Sequence, residues 1–237
     1  MDFKIVLLSS LGNQILLPLL ENLNTRNIPV QAVIIDGTLS DKDKKIQEER
    51  TRGFFKGQDI SEIEKYEVPL FFVKNHNGER CESLLKKLAP NILVNAGTPR
   101  ILKENIISIP LLGTVNSHPG LLPQYRGCTC VEWALYNNDE VGASCHFIDK
   151  GIDTGPIIYK EVIPIKKGDL YEEIRAKMIF HSMKVLAEGI LKIRNENISY
   201  SSLLPQEEGG YYKVIPKDKI LEIKERLKNN LYKHYSQ

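Results

Sequence analysis

The apolar positions in the first half of the chain fall into short β-type runs that alternate with helical patterns. Phe3 to Ser9 reads as strand one and Val30 to Asp36 as strand two. Gln14 to Asn24 between them has helical apolar spacing, with Pro18 tolerable only near its first turns. Leu70 to Val73, Ile92 to Asn95 and Gly113 to Asn116 continue the series as strands three to five, with a helix over Gly78 to Leu88. Such alternation points to crossover connections and a parallel sheet. Ligands of open α/β sheets bind outside the carboxyl ends of the strands. The loop Ser9-Ser10-Leu11-Gly12-Asn13, the turn Gly97-Thr98-Pro99-Arg100 and the Asn116-Ser117-His118 tip are therefore expected to converge. The first of these leads into a helix N-terminus and offers backbone N–H groups to an anion.

The pattern changes after His118. Val141 to Ile148 and Ile157 to Val162 are two extended runs joined by a turn containing Gly151, Asp153 and Gly155, which predicts an antiparallel addition to the sheet. A long helix follows, opened by Asp169 with Glu172 as a capping box and ending near Asn195. Ser199 to Pro216 reads as extended or irregular, centred on Gly209-Gly210-Tyr211-Tyr212, and Ile220, Ile223, Leu227 and Leu231 mark one face of a final amphipathic helix. The expected fold class is α/β, with a core over residues 1–195 and a C-terminal extension over 196–237.

Composition narrows the partners. The chain has 237 residues, 42% hydrophobic and 26% charged, ordinary values for a globular protein. Its 32 basic and 30 acidic residues offer no general attraction for nucleic acid. Lys42 to Lys56 mixes both signs and reads as a solvated helix face. No stretch reaches the roughly 18 to 20 apolar residues of a membrane span, and the start lacks the pattern of a signal peptide. The expected location is cytoplasmic. Cys81, Cys128, Cys130 and Cys145 form no Cys-x-x-Cys pair and match no usual zinc spacing, so no metal is expected.

The candidate chemistry lies in Asn116-Ser117-His118-Pro119-Gly120-Leu121-Leu122-Pro123 and Gly151-Ile152-Asp153-Thr154-Gly155-Pro156. Asn116 and His118 are two apart on a strand and so share a face. Asp153, in a glycine-flanked turn, is available to hold the imidazole. A carboxamide donor, a base and an orienting carboxylate are what acyl transfer to an amine needs. Pro119, Gly120 and Pro123 restrict the backbone around His118, and Leu122-Pro123 is a candidate cis peptide. His76, His146, His181 and His234 read as structural or solvated.

These two stretches, with Arg126-Gly127 and Val141-Gly142-Ala143-Ser144-Cys145-His146-Phe147-Ile148-Asp149, resemble the folate-dependent formyltransferase family. That family includes glycinamide ribonucleotide, methionyl-tRNA and amino-sugar formyltransferases and formyltetrahydrofolate deformylase. The resemblance implies a Rossmann-like, mostly parallel sheet with an antiparallel addition and a short extension of hairpin plus helix. It implies Asn116, His118 and Asp153 as catalytic residues. It implies N10-formyltetrahydrofolate as co-substrate, received by the turn Thr98, Pro99, Arg100, Ile101 and Leu102 and by Lys150, Gly151 and Ile152.

Within the family, methionyl-tRNA enzymes carry a further C-terminal domain and deformylases an N-terminal one, and neither is expected here. Glycinamide ribonucleotide enzymes use a glycine- and asparagine-rich phosphate cradle of which Ser9 to Asn13 keeps only part. The chain is most similar to the short enzymes that formylate nucleotide-linked amino-dideoxy sugars, such as a dTDP-4-amino-4,6-dideoxyhexose, for cell-surface polysaccharides such as lipopolysaccharide O-antigen. Glycinamide ribonucleotide formylation and formyltetrahydrofolate hydrolysis are the alternatives. Ser9, Ser10, Gly12, Asn13, Arg126, Tyr211 and Tyr212 are then the expected substrate contacts. Arg100, Arg126, Lys160 and Lys213 are candidate pyrophosphate partners. The tail around Tyr211 and Tyr212 resembles one that builds a dimer contact, which implies a homodimer.

Overall fold

The computed structural model describes residues 3–38, 40–53 and 61–236. A seven-stranded sheet runs through it. Its first five strands in chain order are β1 (Ile5–Leu11), β2 (Ala32–Thr38), β3 (Leu70–Val73), β4 (Ile92–Asn95) and β5 (Gly113–His118). All five are parallel, in the spatial order β3-β2-β1-β4-β5. The helices between them are α1 (Leu16–Thr25), α2 (Asp41–Thr51), α3 (Ser61–Glu64), α4 (Glu79–Leu88) and α5 (Glu104–Ile107). The expected charged helix over Lys42 to Lys56 is found as α2, and the last residues of that range lie outside the described ones.

Each central strand is covered on both faces, which explains why β1 shows no apolar–polar alternation. Ile5 and Leu7 join Val33, Ile35, Ile92, Val94 and Val115 in one apolar cluster with α1. Val6 and Leu8 join Ala32, Ile34 and Leu93 in a second, with Cys81 and Leu85 of α4 and Ile106 of α5. The period of two thus sorts each strand between two layers.

The remaining elements are β6 (Arg126–Gly127), α6 (Cys130–Asn137), β7 (Gly142–Phe147), β8 (Ile157–Val162), α7 (Tyr171–Glu196), a 3-10 turn at Tyr200–Ser202, β9 (Tyr211–Tyr212) and α8 (Lys217–Lys228). β7 pairs antiparallel with β5 and β8 antiparallel with β7, completing the sheet. α7 lies across the sheet, and Gly189 within it allows the backbone to touch Cys145 of β7, where a Cβ would collide with the sulfur.

Three expectations for the last third need correction. The cap of α7 is shifted by one residue: the Glu173 carboxylate accepts the Leu170 N–H at 2.9 Å. Asp169 closes its own turn by accepting the Lys166 N–H, and Glu172 is buried against Lys224 and Arg52. The extension does not form a hairpin; β9 pairs in parallel with β6, Tyr211 opposite Arg126 and Tyr212 opposite Gly127. Leu231 lies beyond the end of α8 and is exposed, whereas Ile223 and Leu227 are buried as expected.

Candidate active site

The tip of β5 carries Asn116 and His118 on the face shared with α4 and α5, and the turn after β7 brings Asp153 to them. His118 is only 4% exposed. Its Nδ1 lies 3.3 Å from Asp153 Oδ2, and its Nε2 lies 2.7 Å from the Tyr125 carbonyl oxygen. Both ring nitrogens therefore face acceptor oxygens, an arrangement that satisfies the protonated ring, while burial pushes the pKa below the usual value against the pull of Asp153 and the Tyr125 carbonyl. Two glycines make the geometry possible. A Cβ at Gly120 would stand 2.7 Å from His118 Nε2, and one at Gly155 would run into the Phe147 carbonyl.

The loop between β5 and β6 is fixed from across the sheet. Ser144 of β7 sits opposite His118 in the register, accepts the Leu122 N–H at 3.0 Å and donates to the Gly120 carbonyl at 2.8 Å. Leu122-Pro123 is cis. Asp153 adopts a left-handed backbone, with φ 55°, and its Oδ2 also accepts the Gly127 N–H at 3.0 Å. The carboxylate is thereby tied to the same loop that carries the Tyr125 carbonyl.

His146, expected to be structural, belongs to this cluster. The β5–β7 register sets it directly opposite Asn116, so both side chains project on one face. Asn116 Nδ2 donates to His146 Nε2 at 3.3 Å, His146 Nδ1 donates to the Phe147 carbonyl at 2.8 Å, and Asp153 Oδ1 lies 3.6 Å from His146 Nε2. Burial drives its pKa to about 4, against the pull of Asp153 and helped by repulsion from His118. His146 is thus a neutral acceptor that holds Asn116. No local signal marks this role, which exists only in the pairing of β5 with β7.

The turn Thr98 to Leu102 follows β4 and is anchored from below. Asn95 Oδ1 accepts the N–H groups of Gly97 and Thr98, each at 3.1 Å. His76, fully buried, places Nδ1 2.6 Å from Thr98 Oγ1 and Nε2 3.0 Å from the Ile34 carbonyl. Arg100 forms a forked pair with the buried Asp36 and donates to the Lys74 carbonyl. Pro99 lies between these anchors. Ile101 stands 85% exposed above the turn, while Leu102 packs inward against the α4 and α5 layer. On the other wall, Ile152 is exposed, and Lys150, beside Gly151, reaches Glu104 at 3.6 Å. Backbone groups and two exposed isoleucines are suited to a flat heterocycle. A cavity of about 480 Å³ beneath the Lys150–Gly151 segment is lined by Ile107, Leu112, Thr114, Ile148 and Tyr200, and not by Asn116, His118 or Asp153.

The expected substrate contacts divide. Ser9 and Ser10 donate to the carbonyls of Ala96 and Gly97, and Asn13 turns inward to accept the N–H groups of Ile15 and Leu16 at 3.0 Å. Asn13 therefore caps α1 itself, and the loop presents no side-chain cradle for a phosphate; Gly12 supplies the positive φ the turn needs. Arg126 donates to Gln206 Oε1 and the Glu207 carbonyl, Arg100 is held by Asp36, and Lys160 Nζ lies 3.3 Å from the Leu122 carbonyl. The side chain of Lys213 is exposed. Tyr212 stacks on Tyr125 with centroids 5.1 Å apart, while Tyr211 is exposed.

No motif or periodicity marks Gln206. Its side-chain nitrogen donates to the carbonyls of Asp153 and Gly155 at 3.0 and 2.6 Å while its oxygen accepts from Arg126. The tail thus clasps both loops of the site. Among the described residues no group of His, Cys, Asp and Glu could hold a metal ion, and no helix is long and apolar enough to cross a membrane.

Comparison with known proteins agrees with this architecture. A family described as Formyl transferase matches residues 3–190. The bifunctional polymyxin resistance protein ArnA of Wigglesworthia glossinidia brevipalpis is 32% identical over 169 residues, 71% of this chain and 26% of that protein. The chain spans about a quarter of that relative's length and about half that of the methionyl-tRNA formyltransferases it also matches. Among solved structures, a sugar N-formyltransferase from Shewanella sp FDAARGOS_354 superimposes with TM-score 0.62 at 18% identity, covering 91% of this chain and 78% of that one. A phosphoribosylglycinamide formyltransferase from Anaplasma phagocytophilum does so with TM-score 0.64 at 18% identity, covering 90% and 100%.

Proposed function

Because the chain belongs to the formyl transferase family, we propose that it moves a formyl group from N10-formyltetrahydrofolate to the amine of a nucleotide-linked amino-dideoxy sugar. The observation that carries this reading is the cluster of Asn116, His118 and Asp153, with His118 Nδ1 3.3 Å from the Asp153 carboxylate at the end of β5. The exposed Ile101 and Ile152 and the anchored turn at Thr98 to Leu102 support a folate site beside it. The self-capped Asn13 loop speaks against a monophosphate held there, which disfavours glycinamide ribonucleotide as acceptor.

In this mechanism an uncharged amine attacks the formyl carbon. The second N–H of Asn116 faces the formyl oxygen as charge collects on it, and His118 adds its own N–H once Nε2 exchanges the Tyr125 carbonyl for that oxygen. Asp153 orients His118 and stabilises its protonated form. As the carbon's bond to N10 of the folate breaks, the proton lost by the amine passes to that nitrogen through His118 or water. The lipopolysaccharide pathway and a homodimer built on the tail belong to the same proposal.

The test is incubation of the purified protein with N10-formyltetrahydrofolate and a panel of acceptors: nucleotide-linked amino sugars, glycinamide ribonucleotide, amino acids and none. Mass spectrometry should find one formyl group gained by a nucleotide sugar alone. Formylated glycinamide ribonucleotide, or formate released without any acceptor, would replace this reading with the corresponding rival.

A further inference from the structure

The hydrogen bonds around Asn116 run in one unbroken direction, and their source is Asn95. Two backbone N–H groups, of Gly97 and Thr98, point at Asn95 Oδ1, each at 3.1 Å. They fix which end of that carboxamide is oxygen. Its nitrogen end must then face Asn116, and Asn95 Nδ2 donates to Asn116 Oδ1 at 3.1 Å. This in turn leaves the nitrogen end of Asn116 facing His146 Nε2 at 3.3 Å, and His146 Nδ1 donates onward to the Phe147 carbonyl at 2.8 Å. An amide side chain alone has no means of choosing between its two ends, which have nearly the same shape. Here the choice is imposed by the backbone of the turn that begins at Gly97.

We infer that Asn95 is a positioning residue that holds the donor end of Asn116 toward the reacting carbonyl and ties that orientation to the turn Gly97-Thr98. The inference rests on the formyl-transfer reading of the site. Asn95 has two separable edges. Its oxygen shapes the turn expected to receive the folate, and its nitrogen sets the direction of Asn116. Nothing in the local sequence marks it, since it is the last residue of a buried strand; its role follows from β4 and β5 being neighbours.

Asn95→Asp separates the edges. The carboxylate still accepts from Gly97 and Thr98 but repels Asn116 Oδ1, so the Asn116 carboxamide turns over and presents oxygen to His146. The expected kinetic result is a fall in kcat of about tenfold or more, part of what loss of an oxyanion donor costs, with KM for N10-formyltetrahydrofolate within about twofold. Asn95→Ala removes both edges and should lower kcat while also raising that KM. Nitrogen NMR of isotope-labelled histidine, with His146 assigned from His146→Gln, supplies a readout independent of turnover. His146 should be the neutral Nδ1–H form in the wild type and leave that form in Asn95→Asp, becoming the Nε2–H tautomer or the imidazolium. An unchanged His146 signal in a folded Asn95→Asp protein overturns the inference, as does wild-type kcat in that variant. Absence of formyl transfer by the wild type would sink the proposed function instead, and the His146 signal would still decide the role of Asn95.

Discussion

The sheet has two halves built on different physics. On the side of β3, β2, β1 and β4, neighbouring strands meet through apolar residues, Val6 beside Ala32 and Leu93, Leu7 beside Val33 and Val94, while the polar side chains Ser9, Ser10, Asp36 and Asn95 gather at the carboxyl ends of these strands. On the side of β5 and β7, the same face holds Asn116, His118, Ser144 and His146, and two loops and the tail close over them with Asp153, Tyr125 and Gln206. The first half supplies stability through area removed from water. The second places buried polar groups, each costly unless partnered, and so has a single satisfactory arrangement. Variants in the two halves should therefore fail in different ways.

The largest separation is expected at the triad. His118→Ala and Asp153→Ala should each lose about 3 to 4 kcal/mol of transition-state stabilisation, a few hundredfold in kcat. Each also leaves a buried partner unpaired, so a loss of about 1 to 3 kcal/mol of stability should accompany it; a variant that lost stability alone, with kcat per folded molecule unchanged, would place these residues with the apolar half. Leu7→Ala, at a fully buried position of β1, should show the opposite profile. It should lose about 2 to 5 kcal/mol of stability in denaturant titration, with kcat per folded molecule little changed.

A pH series sharpens the contrast at intermediate size. The pKa of His146 falls from 6.5 to about 4 on folding, and burial moves those of His118 and His76 in the same direction. The unfolded chain therefore takes up protons first. The stability that goes with neutral imidazoles is complete above about pH 6.5 and is lost as the pH falls toward 4. Melting temperature should decline through that window, and less steeply in His146→Gln. A smaller effect is expected at the clasp. Gln206→Ala should cost about 1 kcal/mol of stability but lower turnover about tenfold, because the Asp153 turn loses its brace. Equal loss in a control such as Lys184→Ala, an exposed pair with Glu161, would remove the clasp from the account.

Legibility followed the same division. β3 and β4 fall where the apolar runs place them: β4 because a strand buried on both faces is specified by its own side chains, β3 as a short apolar run on the edge of the sheet, with Phe71 and Phe72 exposed. The pairing of His118 with Asp153 was legible as a motif, since glycines and prolines leave their mark on both loops. His146 reads as structural from its own strand, but that it holds Asn116 depends on the register of β5 against β7, and Asn95 carries no local mark because its partner lies one strand away. Gln206 reaches Asp153 across 53 residues from an irregular segment with no periodicity to read. Asn13 reads as a ligand contact from its place in the first loop, whereas its side chain closes the helix that follows it. Local chemistry was visible in the chain; partners supplied by topology were not.

The most direct test of the central claim is a double-variant cycle on His118 and Asp153, read as steady-state formyl transfer. If the carboxylate acts through the imidazole, His118→Ala/Asp153→Ala will turn over no more slowly than His118→Ala alone. Losses that simply multiply, or a His118→Ala enzyme with wild-type kcat, would contradict the account.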